Sequence, residues 1–260
     1  MKAFATLLWL EHRRSWVWTV SLLGSLAFWA WGIKQVQIAD VAERLGIRCG
    51  LLGIAALLGP VVLCLMVGRI RSETRQGRYQ VLLMTPPSGY THVVARFAYA
   101  AAVALVYYIG IGMLYWWIAE LAGIHFDART LIELTLGVPA YALGVTIVPL
   151  LAWTALLMVF VSAYRISGQG WVPGTVMILG TPFLLRYLVD GITSISYSLP
   201  GWHVFANAPQ ALDPIRNRVD VMTSSQLVYY GVPIEPLLIL LALTAVMLLA
   251  AGRIWQEVEA

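Results

Sequence analysis

Charge is scarce in this 260-residue chain: only 12% of its residues are Asp, Glu, Lys or Arg, against roughly 25% in ordinary soluble domains. With 60% hydrophobic residues and a mean hydropathy of +0.78, a soluble fold could not hide its own apolar surface. A cytosolic enzyme and a disordered tail are excluded on that ground. Cysteine is nearly missing as well. Cys49 and Cys64 fall in one apolar stretch, and on one helix they stand about 22 Å apart at 1.5 Å per residue, too far for a disulfide. Their spacing suits no metal, so both read as small buried hydrophobes, and a secreted disulfide scaffold is excluded.

Reactive chemistry is equally sparse. His12, His92, His125 and His203 are scattered over termini and loops. No HExxH helix and no GxSxG elbow is present. There is no GxxxxGK[ST] loop, so the chain does not hydrolyse ATP in that way. The apolar runs hold almost no ionisable residue, which disfavours an ion- or proton-coupled carrier. Glu120, Glu133, Arg186 and Asp190 stand near run ends, where long side chains reach the interface.

What is abundant is apolar length, enough for roughly five to seven crossings of a bilayer. The runs lie at about residues 16–33, 49–68, 97–118, 131–163, 171–187 and 236–253, which predicts an all-α polytopic membrane protein with six transmembrane helices in one domain, 1–260. Tryptophans flank the first run at Trp16, Trp18, Trp29 and Trp31, the pattern of an aromatic belt. The fourth run is too long for one upright span and too short for two, and Pro139 and Pro149 predict one tilted or kinked helix.

Residues 1–15 read as a separate interfacial elbow helix, with Phe4, Leu7 and Leu8 toward lipid and Arg13 and Arg14 at headgroup level. No charged leader with a cleavage site precedes the first run, so the segment is expected to be retained. The net charge of +4 and pI near 9.2 fit arginine held at the cytoplasmic membrane face better than a nucleic-acid partner. Arginine placement puts both termini in the cytoplasm. Residues 190–233 are rich in Gly, Pro, Ser and Asn but carry Trp202, Val204 and Phe205. They predict short extracellular or re-entrant helices before the last span, packed as an outer gate or as an interfacial lid that only stabilises the bundle.

The cytoplasmic loop, residues 69–95, is the most informative segment. A charged continuation of the second run, with Glu73, Arg75, Gly77, Arg78 and Tyr79, leads into an apolar pair, Leu82 and Leu83, and stops at Thr85-Pro86-Pro87. Such a helix offers a hydrophobic anchor rimmed by charge; it reads equally as a solvated basic loop that sets topology. The segment resembles the first cytoplasmic loop of ABC-2-type transporter permeases, on Glu73, Gly77 four residues later, Leu82-Leu83 and Thr85-Pro86. Gln80 stands where that family often has a second acidic residue.

The resemblance implies a coupling helix that docks on an ATPase through Glu73, Arg75, Gly77, Arg78, Tyr79, Leu82, Leu83 and Pro86. It also implies two copies of a cytosolic ABC ATPase, which bind the ATP and Mg, and a second permease subunit, identical or homologous. No cofactor is implied in this chain, which would be a non-catalytic subunit in the plasma membrane. The family analogy, together with the small-xxx-small spacing of Gly170 and Gly174, puts a subunit contact at the fifth span. Uncharged spans suit an amphipathic exported cargo such as a drug, a lipid or an antimicrobial peptide. The competing class is a non-transporting scaffold or assembly factor that recruits a cytosolic partner through the same basic loop.

Overall fold

The computed structural model describes residues 2–38, 40–75, 89–123, 125, 128–166, 180, 190–191, 203–204 and 232–259. Five long helices carry the described chain. They are α1 (Lys2–Gln35), α2 (Val41–Arg75), α3 (Gly89–Leu121), α4 (residues 128–166) and α5 (Glu235–Glu259). All five are long and apolar enough to cross a membrane. They coincide with five of the six expected spans; the run at 171–187 lies outside the described residues except for Gly180. A short antiparallel ladder, β1 (His203–Val204) against β2 (Val232–Pro233), leads into α5.

The expected break after Arg14 is not there, because α1 is one helix of 34 residues, about 51 Å long at 1.5 Å per residue. Neither proline nor glycine occurs between residues 2 and 23 to interrupt it. Residues 2–15 are therefore continuous with the first apolar run in a single helix. Leu7, expected toward lipid with Phe4 and Leu8, is buried by protein at 8% exposure.

Exposure is inverted relative to a soluble bundle. Phe28, Leu57, Val61, Val246 and Leu249 stand more than half exposed, while the interior is built on Leu22, Leu63, Val67, Tyr107, Leu151 and Trp255. A second cluster, with Ile33, Leu45 and Ile118, closes the end where α1 turns into α2. Chain direction follows from the contacts. Glu11 meets Arg96 at one end and Ile33 joins Ile118 at the other, so α1 and α3 are parallel and α2 runs against both.

A Cβ at Gly144 of α4 would collide with Leu237 of α5, and one at Gly252 of α5 with Tyr90 of α3. These two notches set α5 parallel to α4.

Proline shapes two of the helices. In α2, Pro60 has no N–H to offer the carbonyl four residues back, which is that of Ala56. The Tyr108 hydroxyl of α3 donates to this oxygen at 2.8 Å, and Tyr107 donates to Ala55 O at 2.7 Å. In α4 the expected irregularity takes the form of two π-helical turns, Glu133–Gly137 and Leu143–Ile147. Each ends two residues before a proline, Pro139 or Pro149. The Val148 N–H bonds to Leu143 O, five residues back, and this wider turn carries the helix past a ring that disturbs the ordinary ladder. A Cβ at Gly112 would stand 2.8 Å from Thr135 O in the first of these turns, so glycine is what lets α3 approach there.

The proline–tyrosine pairing predicts a coupled effect. Tyr108→Phe should cost about 1–3 kcal/mol by leaving the Ala56 carbonyl without a donor. In a Pro60→Ala background, residue 60 regains its N–H and most of that cost should disappear. Unfolding titrations of the four proteins in detergent read this directly; equal costs in both backgrounds would count against the pairing.

Candidate functional site

The loop between α2 and α3 is the segment singled out by sequence, and the described residues define its two stems. Glu73 and Arg75 lie on the last turn of α2, and Gly89 begins α3. Gly77, Arg78, Tyr79, Leu82, Leu83 and Pro86 lie outside the described residues, as do Trp202, Phe205, Gly170 and Gly174. Val204 pairs with Val232 in the β1–β2 ladder. Cys49 and Cys64 are both on α2 and both free.

Both stems are tied to α1. On the α2 side, Arg69 donates through Nη1 to Arg14 O at 2.6 Å and to Ser15 Oγ at 3.4 Å. On the α3 side, Arg96 Nη2 donates to Glu11 Oε1 at 3.0 Å, with the two side chains 10% and 13% exposed. Arg14 approaches the same carboxylate oxygen at 3.9 Å. One turn further in, the Tyr99 hydroxyl lies 2.8 Å from Thr19 Oγ1 and 3.1 Å from His12 Nδ1. The Thr19 hydroxyl also donates to Ser15 O.

Three helices are thereby joined by polar contacts at the one end from which the 76–88 segment leaves. These contacts fix the two stems relative to α1. Sequence reading assigned Arg69 and Arg96 only to the charge balance and passed over Ser15, Thr19 and Tyr99. A signal was available: Glu11, Ser15 and Thr19 repeat every four residues on one face of an otherwise apolar helix.

The opposite end is organised differently. Arg48, buried at 8% exposure, donates to Ile33 O and Val36 O, each at 3.1 Å, and Arg44 donates to Ile38 O. Arg48 thereby caps the carbonyl end of α1, while Arg44 holds the connector that follows it at Ile38. Glu120 Oε2 lies 2.9 Å from His125 Nδ1, and Arg129 Nε lies 3.4 Å from Glu133 Oε1, so each of these run-end acids has a partner nearby in sequence. Among the described residues, no three His, Cys, Asp or Glu side chains gather into a metal site.

Helices of this length and composition, packed with apolar side chains outward, define a multi-pass membrane protein. No family model, curated protein or solved structure matches the chain.

The Glu11–Arg96 pair is shielded, so its contribution should respond weakly to salt. Arg96→Gln and Glu11→Gln should each destabilise the protein, while the double variant should fall short of their sum by about 1–3 kcal/mol. The same non-additivity should appear at low and high ionic strength. Additive effects would place the two side chains out of contact.

Proposed function

We propose that this chain is the membrane-spanning subunit of an ABC transporter that exports an amphipathic substrate, a drug, lipid or antimicrobial peptide, using ATP hydrolysed on separate ATPase chains. The observation that carries the reading is the double tie of the loop stems to α1. A loop meant to transmit force needs rigid footings. The Arg69 and Arg96 contacts give both ends of the 76–88 segment such footings on one helix, whereas a loop that only sets topology needs neither.

In this reading Glu73, Arg75, Gly77, Arg78, Tyr79, Leu82, Leu83 and Pro86 form the coupling surface for two copies of a cytosolic ABC ATPase. Those partners hold ATP and Mg, and this chain is not itself catalytic. A second permease subunit pairs with it near Gly170 and Gly174, and the substrate path runs between the two in the plasma membrane. Trp202, Val204 and Phe205 form an outer gate over that path. Both termini stand in the cytoplasm.

Leu82→Asp together with Leu83→Asp should remove a buried apolar anchor worth roughly 1.5–3 kcal/mol per leucine. Co-purification of the ATPase should then fall at least tenfold while membrane insertion stays normal. Retained capture at wild-type levels would reject the docking surface. Capture without any stimulation of the ATPase by lipid or peptide would favour a recruiting scaffold.

A sixth crossing belongs to the same reading. α4 runs toward the loop end of the bundle, yet α5 starts from the opposite end, where β1 already lies beside β2. In this reading residues 171–187, which have the apolar length for it, return the chain from the Ile166 end to the His203 end. With Cys49 and Cys64 replaced by alanine, an impermeant thiol reagent added to intact cells should label His203→Cys and leave Gln76→Cys unlabelled. Labelling of both from the same side would remove the sixth span.

A further inference from the structure

One face of α1 is turned away from the bundle. Ser15, Thr19, Leu22 and Ile33 are buried on the inner side. On the opposite side Trp9, Arg13, Trp16, Val20, Trp31 and Lys34 recur at helical spacing, and every one of them is exposed. Trp9, Trp16, Val20 and Trp31 are each more than half exposed. A cation therefore stands near each end of an apolar stripe. The Arg13 guanidinium carbon lies 5.7 Å from the centre of the Trp9 ring, a cation–π contact. Among the described residues neither Arg13 nor Lys34 forms an ion pair. Glu11 and Glu257, at the same end as Arg13, are engaged by other cations, Glu11 by Arg96 and Arg14 and Glu257 by Arg253.

Length and charge narrow what covers this stripe. From Arg13 to Lys34 the helix rises about 31 Å at 1.5 Å per residue, close to a hydrocarbon core of roughly 30 Å. The two cations thus fit the two headgroup layers, with apolar side chains between them. Each has tryptophan within about one turn, the side chain that favours that boundary. A second copy of the chain, inserted the same way up and laid against this stripe, would set Arg13 against Arg13 with no acid between them, a costly contact at low dielectric. Lipid covers the stripe without that repulsion.

The Arg13 end is suited to a phosphate. Stacking on Trp9 takes up the flat face of the guanidinium and leaves the N–H donors in its plane, the edge that meets phosphate oxygens in bidentate fashion. Next to it, Trp16 and Val20 offer an exposed apolar track for an acyl chain. A zwitterionic headgroup brings its own ammonium up to Arg13; an anionic headgroup brings none.

We propose that the Trp9–Arg13 pair binds the phosphate of an anionic phospholipid in the leaflet at the loop end, with an acyl chain along Trp16 and Val20. The proposal does not depend on the chain being a transport subunit. It gives α1, the helix to which both loop stems are tied, a contact with the headgroups of that leaflet.

The test uses the full-length protein in micelles doped with equal amounts of phosphatidylglycerol and phosphatidylcholine, released for native mass spectrometry. The expected result is a phosphatidylglycerol adduct retained several-fold over phosphatidylcholine. Arg13→Gln should bring the two lipids to near parity, and Trp9→Ala should weaken the preference; both side chains are exposed, so neither change repacks the bundle. Arg253→Gln removes one charge from an exposed pair at the same end and should leave the preference unchanged. Washing with inorganic phosphate before release should leave the adduct in place. Equal retention of the two lipids by the wild-type protein, or a preference that survives Arg13→Gln, would overturn the proposal. A loss with Arg253→Gln as large as with Arg13→Gln would reduce the effect to net charge, and displacement by inorganic phosphate would assign Arg13 to a free anion; either result also rejects the lipid site.

Discussion

A backbone carbonyl in hydrocarbon has no water to turn to, and the arrangement of this bundle follows from finding a donor for each one. Where the helices are regular, the ladder supplies it. Where proline removes an N–H, another helix or a wider turn must. Tyr108 reaches across from α3 to the Ala56 carbonyl that Pro60 strands, and the π turns of α4 absorb Pro139 and Pro149. Arg48 performs the same service at the end of α1. The positions of α2 and α3 relative to each other are thus tied to a hydrogen-bond requirement as much as to side-chain packing. The hydroxyls of Ser25, Thr135 and Thr146 each bond back to a carbonyl of their own helix.

The two ends of the bundle solve different problems with the same residue type. At the end where α1 passes into α2, arginines donate to backbone carbonyls and close a helix terminus. At the loop end they donate to a carboxylate, a hydroxyl and a carbonyl on a neighbouring helix, and so hold helices together. The first use stabilises one element; the second makes the stems of the 76–88 segment move with α1. That difference is why the loop end, and not the opposite one, is the candidate for receiving force from a partner.

Much of this was legible in the sequence, and what was not has identifiable causes. Apolar runs bounded by charge locate five helices closely, because hydrophobic length is the dominant requirement in a membrane. The irregularity of α4 was readable from Pro139 and Pro149, although its form, two π turns, was not. The continuity of α1 through Arg14 was not legible, because polarity changes there while helical propensity does not, and nothing in His12 to Trp16 breaks a helix. Tyr107 and Tyr108 read only as members of an apolar run, since a sequence does not show which carbonyl a hydroxyl will reach. The stems of the loop were legible as charge; their tie to α1 depended on which faces of three helices meet.

The glycine notches at the two ends of α5 have a mechanical consequence. Leu237 enters α4 at Gly144 near one end, and Tyr90 of α3 enters α5 at Gly252 near the other. A helix keyed at one point can pivot or slip by a turn along its neighbour. Keyed at two points about 22 Å apart along its axis, α5 can do neither without drawing both knobs out together. The piston-like sliding open to a helix seated on smooth leucine ridges is therefore denied to it. Any displacement of α5 is therefore carried to α3 and α4 as well.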